Sequence, residues 1–158
     1  MKKILTIALL LIAINAQGQG LPVAANATLA SLFPDENLRA VVAEVLGPNA
    51  GLIGQRLSDE LARIDGRLDA SSKNIRNASG IEYLLGLTRL NLSYNFDLLH
   101  INLSHNIKLI HLEVSYTGLS NIDVSNLSQL MSIGLFRTNA TVTIGPNNHP
   151  LLDIDFWQ

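Results

Sequence analysis

Leu87-Thr88-Arg89-Leu90-Asn91-Leu92 is followed by Leu98-x-x-Ile101-x-Leu103, Leu109-x-x-Leu112-x-Val114, Leu119-x-x-Ile122-x-Val124 and Leu130-x-x-Ile133-x-Leu135. The central residues of these runs step by 11, 11, 10 and 11 positions. Apolar residues two apart share one face of an extended segment. Such a frame, repeated at a fixed interval, specifies a chain wound into stacked turns, each burying its apolar face against its neighbours. A solenoid of this kind offers a long exposed surface, which suits binding better than chemistry.

The true unit is twice the beat. Leu68-x-Ala70 lies 22 residues before Leu90-x-Leu92, which lies 22 before Leu112-x-Val114 and a further 21 before Ile133-x-Leu135. Another 21 residues lead to Leu151-x-x-Ile154-x-Phe156. Strands centred on Leu68, Leu90, Leu112, Ile133 and Ile154 are therefore expected to form one parallel sheet, about 4.8 Å apart. The half-turn segments at Ile101, Ile122 and Ile144 belong to the opposite wall, and Gly80 to Leu84 is expected to be irregular or helical. The frame and period predict a leucine-rich-repeat solenoid of about four to five turns over residues 66–158.

What precedes the repeats has a different pattern. Lys2 and Lys3 followed by the apolar run Ile4 to Ile14, then Ala16-Gln17-Gly18, predict a signal peptide over 1–18. That run is shorter than the about 20 residues a spanning helix needs. Residues 19–28 are expected to form a leader with little order. Residues 29–65 predict a helical cap: Pro34 in the first helical turn, Asp35 and Glu36 at the positive end of the dipole, and an apolar stripe of Leu38, Val41, Val42, Val45 and Leu46. Gly47-Pro48 should end this helix, and Ser58 should cap a second over Asp59 to Ile64. Such a stripe would cover the open apolar end of the first turn.

The composition narrows the partner. The chain holds 11 Lys and Arg against 13 Asp and Glu, and loss of Lys2 and Lys3 with the signal peptide shifts the balance further to the acidic side. No basic stripe exists to neutralise phosphates, which argues against nucleic acid, and no lysine-rich helix suits a membrane surface. No second long apolar run follows, so no transmembrane segment is expected in the mature chain, which should be secreted or periplasmic. Cysteine is absent, so disulfides cannot contribute to stability.

Leu32-Phe33-Pro34-Asp35-Glu36-Asn37-Leu38, Leu57-Ser58-Asp59-Glu60-Leu61, Leu68-Asp69-Ala70 and Gly80-Ile81-Glu82-Tyr83-Leu84 occur in this order. Together they resemble the N-terminal cap and first repeat of internalin-type proteins, over roughly Leu29 to Asn95. From Leu98 onward the alternation, with Ile122-Asp123-Val124-Ser125-Asn126, looks like secreted bacterial repeat proteins with sheet on both walls. The resemblance implies a surface or secreted binding protein engaged in adhesion or partner recognition.

Stacking sorts the polar residues into columns. Arg67, Arg89, His111, Ser132 and Asp153 precede the central apolar residue of each strand, and Asp69, Asn91, Glu113, Gly134 and Asp155 follow it. Both columns should line the exposed face, with Ser71, Ser93, Ser115 and Phe136 as a third and Tyr94 and Tyr116 at its margin. The expected ligand-binding face comprises Arg67, Asp69, Arg89, Asn91, Tyr94, His111, Glu113, Tyr116 and Phe136, taking a protein or a glycan. Replacing Arg89 and Glu113 together is expected to weaken binding without lowering the melting temperature. Asn95 and Asn106 should satisfy loop backbone, and the Asn-x-Ser/Thr triplets at Asn26, Asn77, Asn91, Asn102, Asn126 and Asn139 stem partly from the repeat frame.

Neither a catalytic nor a metal site is expected. His100 and His111 are half a turn apart and so on opposite walls, Asp153 and Asp155 read as plain surface, and no H-E-x-x-H, G-x-S-x-G or phosphate-cradling loop occurs. No cofactor is implied. The rival to a binding module is structural: an edge-paired homodimer through Phe156 and Trp157, or a fragment of a longer ancestor.

Overall fold

A computed structural model describes residues 19–155. The signal-peptide expectation for 1–18, and Phe156 and Trp157, lie outside the described residues. Three helices open the described chain: α1 (Leu29–Leu32), α2 (Glu36–Leu46) and α3 (Gly54–Arg63), with a 3₁₀ turn at Gly47–Gly51 between the last two. Seven strands follow: β1 (Asp65–Asp69), β2 (Gly86–Asn91), β3 (His111–Glu113), β4 (Asn121–Asp123), β5 (Ser132–Gly134), β6 (Thr141–Thr143) and β7 (Asp153–Asp155). A second 3₁₀ turn, Ile81–Tyr83, occupies the stretch expected to be irregular or helical. Among the described residues no helix is long and apolar enough to cross a membrane.

β1, β2, β3, β5 and β7 form one parallel sheet in that order. The register pairs Leu68 with Leu90, Leu90 with Leu112, Leu112 with Ile133 and Ile133 with Ile154. Those five centres are the ones spaced 21 to 22 residues apart, because in-register stacking turns every central apolar side chain toward the core. Leu68, Leu90, Leu112 and Ile133 are indeed sealed in a continuous core with Leu92, Val114 and Leu135.

The opposite wall departs from the expectation. β4 pairs with β6, placing Val142 rather than Ile144 beside Ile122. Thr141 N–H donates to Ser120 O and Val124 N–H to Thr143 O. This half-turn is two residues shorter than the beat, so Ile144 is pushed outward and stands 60% exposed. The Ile101 segment contributes a half-buried side chain but no strand.

The helical region shows the cost of reading caps locally. Asp35 is the N-cap of α2, accepting from Asn37 N–H and Leu38 N–H, so Pro34 precedes the helix instead of starting it. Leu38, Val42 and Leu46 are buried and Val41 is half-buried, but Val45 is 51% exposed. The stripe is narrower than expected because consecutive residues point about 100° apart and only one edge faces the first turn. Gly47 ends the helix at φ 55°, ψ −124° and donates to Ala43 O; this is a positive-φ conformation open to glycine but not the left-handed helical cap expected.

Ser58 caps nothing. It lies inside α3, which starts at Gly54, and its buried hydroxyl donates to Leu21 O at 2.6 Å. Gly20 N–H donates to Asp59 Oδ1, Gln55 Nε2 donates to Gly20 O, and Gly54 N–H donates to Ala27 O. The segment expected to be a loose leader is thus tied to α3 by bonds spanning up to 39 residues, which local propensity cannot reveal.

Candidate functional site

The exposed face of the five-stranded sheet gathers the residues expected there. Arg67, Asp69 and Arg89 are exposed, and Asn91, His111 and Glu113 are half-buried. All of these but Asp69 rim a depression of about 190 Å³ whose lining includes Leu90 and Leu112. Side chains in this column arrangement fall into two groups, those held by the fold and those left free.

The residues after each central apolar one are held. Asp69 Oδ1 accepts from the backbone and hydroxyl of Ser71, and Asp69 Oδ2 accepts from Arg67 at 2.5 Å. The Ser71 hydroxyl and backbone donors, with the Arg67 charge, outweigh partial burial and lower the Asp69 pKa. Asn91 Oδ1 accepts from Ser93 N–H and Oγ, and Glu113 Oε1 from Ser115 N–H and Oγ. Asn77 and Asn102 repeat this turn with Ser79 and Ser104, and Asp123 with Ser125. The Ser125 hydroxyl and N–H lower the Asp123 pKa. Several Asn-x-Ser triplets are therefore backbone-satisfying turns of the repeat.

Two expectations change in consequence. Ser93 is buried rather than part of an exposed serine column. Glu113 also accepts from the Ser93 hydroxyl at 3.3 Å and lies over Gly134, where a Cβ would collide with its carboxylate. Removing Glu113 strips these turns of an acceptor, so the Arg89/Glu113 double replacement is expected to lower the melting temperature.

The free groups lie on either side. Arg89 has no carboxylate within ion-pair distance among the described residues, whereas Arg67 pairs with Asp69 and Arg76 with Asp97. His111 Nδ1 lies 2.7 Å from Ser132 Oγ, which fixes the ring beside Arg89 in the register.

Beyond the strands the parallel ladder continues: Leu92 N–H donates to Glu113 O, Tyr94 N–H to Ser115 O and Tyr116 N–H to Phe136 O. The chain then turns through a left-handed residue in each repeat: Ser72 at φ 56°, Tyr94 at 60°, Tyr116 at 56° and Arg137 at 55°. Few bulky residues adopt this conformation, which costs about 1 kcal/mol or more outside glycine and asparagine. Here it stacks Tyr94 on Tyr116 with ring centroids 4.6 Å apart and planes 14° from parallel, one strand spacing along the solenoid. Phe136 packs edge-on to Tyr116 at 5.3 Å, and the Arg137 guanidinium sits 5.8 Å from the Phe136 ring centroid.

Sequence reasoning missed one member. Phe96 is 64% exposed and packs edge-on against both Tyr94 and Tyr116, at 6.5 and 6.4 Å. It lies outside the L-x-x-L-x-L frame. The available signal was an aromatic residue in a loop next to the buried Asn95, where the frame calls for polar residues.

Asn95 and Asn106 are wholly buried, and their amides satisfy loop backbone as expected. Thr117 and Thr138 take the Asn95 place in the next two turns, and Asn148 donates to Val124 O and Leu127 O on the Asn106 side.

Neither a protein-family model nor a curated protein sequence matches the chain. Solved structures do. The functional domain of InlJ from Listeria monocytogenes, which includes a cysteine ladder, superposes with a TM-score of 0.68 and 27% identity over 82% of this chain. The internalin InlF of that organism gives 0.62 and 26% over 77%, and internalin C2 gives 0.62 and 22% over 77%. The chain spans 28%, 39% and 52% of those three chains respectively. The likeness extends through both the helical region and the repeats: in architecture, the chain is an internalin-type leucine-rich-repeat protein.

Proposed function

We propose that the chain is a non-catalytic binding module that recognises a protein outside the cytoplasm through the exposed face of its five-stranded sheet. The observation that carries this reading is the Tyr94–Tyr116 stack. Two tyrosines, Tyr94 exposed and Tyr116 half-buried, are held in a costly left-handed backbone and joined by Phe96 and Phe136. Rigid aromatic side chains lose little entropy on binding and dominate interface energetics. The neighbouring sheet supplies Arg67, Asp69, Arg89, Asn91, His111 and Glu113 as a polar surround. The extracytoplasmic setting is supported by Lys2, Lys3 and the apolar run Ile4 to Ile14.

The test is a double variant, Arg89→Ala with Tyr116→Asn. Asparagine tolerates the left-handed backbone, so the fold is kept. Affinity for a partner recovered from extracellular or envelope fractions should fall at least about tenfold, with little change in melting temperature. Undiminished affinity would remove this face from consideration. Self-association through the outer edge of β7 is a second reading, favoured by the half-exposed Ile154 and Val142 on the last described turn. Light scattering that finds only monomer would end it.

A further inference from the structure

The structure carries an inference about what this face recognises, resting on the reading that the sheet is the binding face. We propose that the occupant is a protein segment bearing one carboxylate, which docks at Arg89 and His111, and an apolar side chain farther along, which covers the aromatic ridge.

The carboxylate follows from charge. Arg67 and Arg76 are engaged by Asp69 and Asp97, but Arg89 faces solvent with no carboxylate within ion-pair distance among the described residues. Glu113 does not serve it: its Oε1 accepts from Ser115 and Ser93, and its other oxygen lies over Gly134 on β5, whereas Arg89 stands on β2. A guanidinium fork matches a carboxylate in a bidentate manner. His111 supplies a second donor. In the tautomer in which the Ser132 hydroxyl donates to Nδ1, Nε2 carries the ring proton and faces the carboxylate as donor. The depression of about 190 Å³ has room for one acidic side chain with a few waters, each taking roughly 30 Å³. Asp69 and Glu113 lie close by, and the chain is net acidic. A polyanion such as nucleic acid would meet repulsion there along its length, while a single carboxylate paired with Arg89 would meet far less.

The apolar part follows from ring geometry. A sugar packs its C–H groups on an open aromatic face. In the Tyr94–Tyr116 stack the rings cover each other, and Phe96 and Phe136 meet them edge-on. Tyr94 and Phe96 are exposed, and the aliphatic Leu99 is exposed nearby. An apolar patch that joins aromatic to aliphatic side chains suits an aliphatic or aromatic protein side chain better than a pyranose. Arg89 and Tyr94 are separated by five residues of largely extended chain, at most about 17 Å at roughly 3.3 Å per residue. An extended partner therefore spans the two features with its acidic and apolar residues four or five positions apart.

The probe is a random 12-residue peptide library displayed on phage and panned against the protein. Enriched peptides should carry Asp or Glu four or five residues from Leu, Met, Phe or Trp. Arg89→Gln, Arg89→Glu and Tyr94→Asn should each weaken them at least about tenfold, with melting temperature checked for each variant. Enrichment of neutral or basic peptides on the sheet, or binding indifferent to Arg89→Glu, would overturn the carboxylate assignment alone. Binding of a glycan array that Tyr94→Asn abolishes would overturn the choice of a protein segment. Hydrogen-exchange protection at Asn121 and Thr141 on the opposite wall would instead overturn the sheet as the binding face.

Discussion

Asn95→Leu destabilises the protein by about 4 kcal/mol and lowers its melting temperature by roughly 15 °C. Asn95 is completely buried. Its Oδ1 accepts from Lys73 N–H at 3.2 Å and Ile75 N–H at 2.9 Å, while Nδ2 donates to Ala70 O at 2.9 Å and Leu92 O at 2.7 Å. One side chain thus satisfies four backbone groups in two successive turns. Leucine leaves all four without a partner, each costing about 1–3 kcal/mol where it stays dry and less where the loop relaxes toward water. A loss near 4 kcal/mol is a large fraction of the about 5–15 kcal/mol typical of a domain. Asn95→Thr is the informative control. Thr117 and Thr138 occupy the same place in later turns, where their hydroxyls donate to Val114 O at 2.8 Å. Threonine should recover about half the loss, measured by thermal and urea unfolding.

Asp35→Ala costs about 2–3 kcal/mol, more than an ordinary cap, because this carboxylate has two tasks. Oδ1 caps α2 through Asn37 N–H and Leu38 N–H, and Oδ2 accepts from Arg76 N–H at 2.8 Å and Asn77 N–H at 3.1 Å, more than 40 residues away. It therefore fastens the helices to the first turn. Partial burial pushes its pKa up, but the four backbone donors together win and hold it below its ordinary value of 3.8. A lowered folded pKa means that the ionised carboxylate stabilises the fold above pH 3.8 and that this contribution disappears as pH falls through the lower, folded value. Asp35→Asn should retain part of the capping and remove this segment of the acid dependence. The comparison of unfolding free energy at pH 7 and pH 3 measures it. An acid limb identical in Asp35→Asn and the parent would assign that dependence to other groups.

How much was legible from sequence depends on whether a residue acts within its own repeat. The apolar centres Leu68, Leu90, Leu112, Ile133 and Ile154 were readable because in-register stacking lines all five up along one core, with the first four buried and Ile154 partly so. The charged columns followed from strand alternation. Ser58, Gly20 and the Asp35–Arg76 tie were not readable as such, since their bonds join segments 37 to 41 residues apart. The two-residue slip that puts Val142 where Ile144 was expected reflects a shorter half-turn, which a fixed beat cannot anticipate. On the site, Tyr94, Tyr116 and Phe136 were named from their columns, but their stacking depends on the left-handed turns. Phe96 joins them only because the loop after Asn95 folds back beside the next turn.

The five-stranded sheet, and not the two-stranded wall behind it, is the face proposed to meet the partner. The chain contains no cysteine, so single cysteines can be placed and labelled cleanly. Arg67→Cys on β1 and Asn121→Cys on β4, both at exposed positions, would each carry a short photo-crosslinker and be exposed to the same extracellular and envelope fractions. The account predicts one discrete crosslinked species from position 67 and none from position 121. The same species formed from position 121, with nothing from position 67, would contradict it.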